Sequence, residues 1–196
     1  MHSELHPMKT SQEIYKLTKN KTRVVILGSE SKTIIAMVLF VMNYHERNID
    51  VVLENSQEIV VKENNDFVII EASVNTDELN ANIALMSSNL EADNSQLINF
   101  INSITNGGIL IYNEEDHLIK ELVEKSTHPI QKYPYQTPKY TVENEQLFLD
   151  TNEGKLPLEV SENELQNLAG VKWICQHIAI DEDDFYEAIS TYSTIS

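Results

Sequence analysis

Arg23-Val24-Val25-Ile26-Leu27-Gly28-Ser29-Glu30-Ser31-Lys32-Thr33-Ile34-Ile35-Ala36 is the stretch from which the fold is read. Val24 to Leu27, with Arg23 ahead of them, form an apolar run of the kind found in a buried strand. Gly28, Ser29 and Glu30 make a short polar turn. From Ser31 to Tyr44 the chain is apolar around most of a helical surface, which predicts a largely buried helix. Strand, small-residue turn, Lys-Thr and helix are the layout of a phosphate-binding loop. In such a loop backbone N–H groups and a helix N-terminus face an anion, the Lys adds a point charge, and the Thr hydroxyl reaches Mg2+. Two positions break the pattern. Ser31 stands where the second glycine of Gly-x-x-Gly-Lys-Thr belongs, and Glu30 puts an acid where phosphate would lie.

Downstream, the chain alternates between short apolar runs and helical patterns. Residues 49–53 predict a second strand, 56–61 a short strand or turn, 67–71 a third central strand ending in Glu71, and 83–89 a fourth. Residues 96–104 read as an amphipathic helix stopped by Asn106-Gly107-Gly108, 109–112 as a fifth strand, and 115–125 as another helix with Pro129 just beyond it. This spacing predicts an α/β fold, a doubly wound and mostly parallel sheet. After Pro129 the composition changes. Residues 132–138 are rich in Pro and Tyr, and 140–142, 147–149 and 156–160 read as an antiparallel meander at a sheet edge. Ser161-x-x-Glu164 is a capping box that opens a helix running through His177, and Asp181 to Asp184 cap a last helix. Upstream, residues 1–20 read as a polar N-terminal extension with a short helix over 11–19, and residues 21–196 as a single domain.

Charge and cysteine usage narrow the function. The 14 basic and 31 acidic residues leave a net charge of −17, so the chain lacks the basic footprint that nucleic acid or an anionic membrane surface requires. Cys175 is the single cysteine, so no disulfide forms within the chain, and its apolar helical setting predicts a buried, inert thiol. No apolar run reaches the length of a membrane span, and the polar start lacks a signal-peptide core. The expected setting is cytoplasmic.

Five pieces in order resemble the central ATP-binding domain of the Mur ligases, nearest to the muramate–alanine and muropeptide-recycling members. Arg23 to Thr33 stands where that family has its strand and Gly-Thr-His-Gly-Lys-Thr loop. Asp66-Phe67-Val68-Ile69-Ile70-Glu71-Ala72 is similar to the strand ending in Glu-Ala-Asp-Glu, and Ser88-Asn89-Leu90-Glu91-Ala92-Asp93-Asn94 to the Thr-Asn-Ile-Glu-x-Asp-His segment. Residues 108–116 resemble Gly-x-Leu-Val-x-Asn-x-Asp-Asp, and residues 161–170 resemble Gly-x-His-Asn-x-x-Asn-x-x-Ala.

The resemblance implies a P-loop-like phosphate site at Gly28, Ser29, Ser31, Lys32 and Thr33, with ATP as its nucleotide. It also implies an Mg2+ site drawing on Thr33, Glu71 and Asn94. The departures point the other way. Asn94 replaces the family's His, Ser31 its loop Gly, and Asn163-Glu164 the His-Asn that contacts nucleotide. An amide oxygen is an acceptable ligand for a hard cation, but the imidazole nitrogen is gone. Ser31 adds a Cβ where backbone must approach phosphate. The reading also expects the family's flanking domains, for the UDP-sugar and for the incoming amino acid or peptide, to be missing.

Two readings remain from the sequence. The first is a catalytically inactive Mur-ligase-like domain that binds a protein partner or assembles with itself. The second is an ATP-dependent amide-bond ligase, or a subunit of one, in peptidoglycan synthesis or muropeptide recycling. For Gly28 to Thr33 the alternatives are a residual phosphate site and an inherited strand–turn–helix without a ligand. For Glu71 they are a metal-site remnant and an acid at a strand end. For Glu91, Asp93 and Asn94 an acid-favouring helix start is sufficient.

Overall fold

In this computed structural model residues 10–54, 56, 59–72, 77–88, 90 and 92–193 are described. Residues 1–9 of the expected extension, most of 55–58, and Asn89 and Glu91 of the helix start lie outside the described residues.

The first apolar run forms β1 (Thr22–Leu27), and the Lys-Thr segment opens α2 (Ser31–Tyr44), preceded by α1 (Ser11–Thr18). The strands β2 (Asp50–Val52), β3 (Phe67–Ala72), β4 (Ile83–Met86) and β5 (Ile109–Asn113) then alternate with α3 (Asn94–Asn102) and α4 (His117–Lys125). A sixth strand, β6 (Gln131–Tyr135), follows. All six strands are parallel, in the order β2-β3-β1-β4-β5-β6. The chain leaves β1 on one side to build β2 and β3, then crosses β1 to build β4, β5 and β6. That makes the carboxyl end of β1 the topological switch point, where α/β sheets hold ligands.

Alternation along β1 feeds two cores. Val24 and Ile26 face α2, α5 (Glu162–His177) and α6 (Glu182–Ile189), with Val38, Val41, Val171 and Ile174 wholly buried against them. Val25 and Leu27 face the other side, where Leu97, Phe100, Ile119 and Val123 of α3 and α4 close the layer. A strand covered on both faces must be apolar at every position, which is the pattern Val24 to Leu27 present.

Two differences from the sequence reading stand out. The Tyr-Pro stretch forms β6, an edge strand of the main sheet. Gln131 N–H donates to Gly108 O at 2.8 Å, and Tyr135 O accepts from Glu114 N–H at 3.0 Å. Odd-numbered residues therefore turn their polar groups toward β5, and Pro134 faces outward, where a missing N–H costs no ladder bond. The meander β7 (Tyr140–Glu143), β8 (Gln146–Thr151) and β9 (Gly154–Leu158) is a separate antiparallel sheet. Its Leu149 and Leu158 are buried with Leu165, Leu168 and Phe185 of α5 and α6, so it extends the helical layer. Residues 59–61 carry no strand.

Two buried cations fasten the amino-terminal edge of the sheet. Arg23, 5% exposed, has no carboxylate partner among the described residues; its guanidinium donates to the carbonyls of Thr18, Lys19, Lys21, Leu79 and Asn80 and lies 5.1 Å from the Tyr15 ring centroid. It thus binds the carbonyl end of α1, where the helix dipole favours a cation, to the 3-10 turn Asp77–Leu79 and its successor. Lys21 Nζ pairs with Asp50 at 3.2 Å and also donates to the carbonyls of Lys62 and Asn65.

Candidate functional site

The turn after β1 is four residues long, closed by Ser31 N–H donating to Gly28 O at 3.2 Å. Gly28 has φ +147°, and a Cβ there would lie 1.7 Å from Ser87 Oγ. Only glycine satisfies both the backbone and the approach of β4's successor. Ser29 Oγ donates to Ser88 O at 3.4 Å, a second tie between the turn and the β4 side.

Ser31 is buried, and its hydroxyl donates to Glu71 Oε1 at 2.8 Å. Glu71 Oε2 accepts the backbone N–H of Glu54 at 3.1 Å. Both carboxylate oxygens of the acid at the end of β3 are thus engaged, one by the turn and one by the loop after β2. Glu30 is the N-cap residue of α2, yet its side chain makes no cap to the backbone. Its Oε2 accepts from Thr33 Oγ1 at 3.4 Å and its Oε1 from Asn163 Nδ2 at 3.5 Å. Asn163 is the second residue of α5, so a side chain of the turn reaches a second helix N-terminus. Lys32 is exposed.

Of the residues singled out from the sequence, Ser31 and Glu71 touch, whereas Thr33 bonds to Glu30 and not to that pair. Gly28 and Ser29 meet the Ser87-Ser88 pair. Asn94 is exposed on the first turn of α3, whose cap is Asp93 accepting from Gln96 N–H at 2.9 Å. No hydrogen bond joins Asn94 to Glu71 or Thr33, and no group of three or more His, Cys, Asp or Glu is placed to hold a metal among the described residues.

Sequence reading did not single out Ser87. Its side chain is wholly buried, its Oγ has no hydrogen-bond partner among the described residues, and it lies against Gly28. The only sequence signal was its position just after an apolar run. Behind the site, Tyr135 donates to Asn167 Oδ1 at 2.9 Å, and burial pushes its phenol pKa up. Glu164, the capping-box acid, accepts from Tyr192 at 2.7 Å, tying the start of α5 to the end of α6.

No family model matches the sequence, and no curated protein matches it. Solved structures match in fold. A UDP-N-acetylmuramate:L-alanyl-gamma-D-glutamyl-meso-diaminopimelate ligase from Neisseria meningitides is 13% identical at a TM-score of 0.70, covering 95% of this chain and 71% of that one. MurF from Acinetobacter baumannii is 10% identical at 0.71, covering 95% of this chain and 49% of that one. A bifunctional folylpolyglutamate synthase/dihydrofolate synthase from Yersinia pestis, solved with AMPPNP and a Mn ion, is 12% identical at 0.58, covering 98% and 64%. The chain therefore spans about half the length of MurF and about two thirds of the synthase. No helix among the described residues is long and apolar enough to cross a membrane. At these identities the likeness is one of architecture, and in architecture this chain is a Mur-ligase-like α/β domain.

Proposed function

We propose that this Mur-ligase-like domain carries out no ligation and acts as a binding or assembly module, for a protein partner or a second copy of itself. The observation that supports this most is the 2.8 Å bond from Ser31 to Glu71. A metal-bridged nucleotide needs the acid's oxygens free for a cation and the loop's backbone open to phosphate. Here the loop's own side chain binds the acid, and Glu54 N–H takes the other oxygen. That both oxygens of Glu71 are already hydrogen-bonded within the protein supports the reading without Mg2+ and nucleotide.

Calorimetric titration of the full chain with Mg-ATP tests this reading. No saturable heat at millimolar nucleotide is the expected result. Saturable binding that Lys32→Ala abolishes would overturn it.

The second reading, an ATP-dependent amide-bond ligase or ligase subunit, is favoured by the Lys32-Thr33 pair at the first turn of α2. It requires Mg-ATP turnover with a muramyl acceptor, and the same titration separates the two.

A further inference from the structure

Among the described residues, every sheet edge but one is blunted against pairing with another strand. β2 is three residues long. β6 turns Pro134 outward. In the small sheet β8 lies between β7 and β9. Asp150 N–H donates to Lys139 O at 2.9 Å, so even-numbered residues of β8 bond to β7 and odd-numbered ones to β9. Lys155 and Pro157 of β9 therefore face away from β8, and the proline has no N–H to offer. Glu159, just beyond, bridges to Ser193.

The exception is β7. Its Thr141 and Glu143 bond to Phe148 and Gln146, which leaves the N–H and C=O groups of Tyr140 and Val142 facing outward. Those two side chains are 43% and 62% exposed, and no proline interrupts the strand. The edge is also complementary to itself. Laid antiparallel on a second β7 with Thr141 at the two-fold axis, Tyr140 of each copy exchanges both N–H···O bonds with Val142 of the other. Lys139 then stands opposite Glu143, an aromatic side chain opposite a β-branched one, and Thr141 opposite Thr141, each a favourable cross-strand pair. Glu143 also meets Lys155 of its own chain and keeps a second carboxylate oxygen for the other copy. A shift to the next bonding position in either direction brings in Pro138, which lacks an N–H, or Asn144 of the hairpin turn, at φ +50°.

We infer that β7 is a self-association edge: two copies of this chain join their small sheets through antiparallel β7 strands, with Lys139 and Glu143 setting the alignment. This rests on the reading of the chain as an assembly module and names its partner as a second copy. The contact is isologous, so it closes as a dimer and leaves no free β7 to extend the chain of copies.

The test follows the full chain by sedimentation velocity from low micromolar to near-millimolar concentration, at physiological ionic strength, where the charge of −17 on each copy is largely screened. Wild type is expected to shift reversibly from its 22.4 kDa monomer toward twice that mass. A short strand pair stands at the low end of interface sizes, so the dissociation constant is expected to be about micromolar or weaker. Val142→Pro removes an N–H that β8 does not use, and is expected to weaken the dimer about tenfold or more with circular dichroism unchanged. Lys139→Glu and Glu143→Lys should each weaken it about threefold or more, although the second makes the chain less negative. An equimolar mixture of those two variants should recover wild-type association, because opposite charges face each other again in the mixed pair. The charge variants decide the matter if Val142→Pro does not fold. A wild type that stays monomeric, a dimer indifferent to these substitutions, or a mixture that does not recover would each overturn the inference. The Mg-ATP titration reports separately on the absence of ligation.

Discussion

The hydroxyl of Ser31 donates to Oε1 of Glu71 across 2.8 Å, joining the start of α2 to the end of β3 inside the core. Serine at this position adds what glycine cannot, a donor for the acid one strand away.

Removing that donor has a measurable cost. Ser31→Ala leaves Glu71 Oε1 buried without a partner and should cost about 1–3 kcal/mol. Urea unfolding of Ser31→Ala, Glu71→Gln and the double variant should give a coupling energy of about 0.5–3 kcal/mol. Additive losses would show that the bond contributes nothing.

Gly28 is constrained twice, by φ +147° and by Ser87. Gly28→Ala should destabilise by about 2 kcal/mol or more, since strain and overlap add. Gly28→Ala/Ser87→Ala relieves only the overlap, so part of the loss should remain. Full recovery in that double variant would show that the backbone conformation carries no cost.

Arg23 holds the carboxyl end of α1 through the carbonyls of Thr18 and Lys19 and through the Tyr15 ring. Lysine is a point donor without the guanidinium's planar fork, so Arg23→Lys should lose about 2 kcal/mol or more. The loss should concentrate in α1, read as faster amide exchange over Ser11–Thr18 with β1 protection less affected. Unchanged exchange in α1 would remove Arg23 from this role.

His177 lies against Tyr133 and Trp173, and its Nε2 is buried without a hydrogen-bond partner among the described residues. Burial pulls its pKa below the ordinary 6.5. The unfolded chain therefore takes up the proton first as pH falls. The stability this histidine contributes is fully present above 6.5 and is lost as pH drops toward the lower folded-state value. His177→Phe should flatten the pH dependence of the unfolding midpoint in that window. An unchanged slope would refute the assignment.

The fold was legible where local chemistry and global pattern agreed. Val24 to Leu27 had to be a two-faced buried strand, since every position is apolar, and Thr10, Asp93, Ser161 and Asp181 each cap a helix near where the sequence placed a start. The strand β6 was not legible. Pro134 reads as a breaker until the register shows that its nitrogen faces away from β5. The meander's partner was hidden for a similar reason: alternation says that one face is buried, not against which layer.

The candidate site divides along the same line. The sequence by itself determined the strand–turn–helix, the serine at position 31, and the acid at position 30, because those are properties of neighbouring residues. Only the tertiary structure decided that Ser31 meets Glu71, that Asn163 reaches Glu30, and that Ser87 stands against Gly28. Those pairs are separated by tens of residues in the chain, and the crossing of the sheet at β1 brings them together.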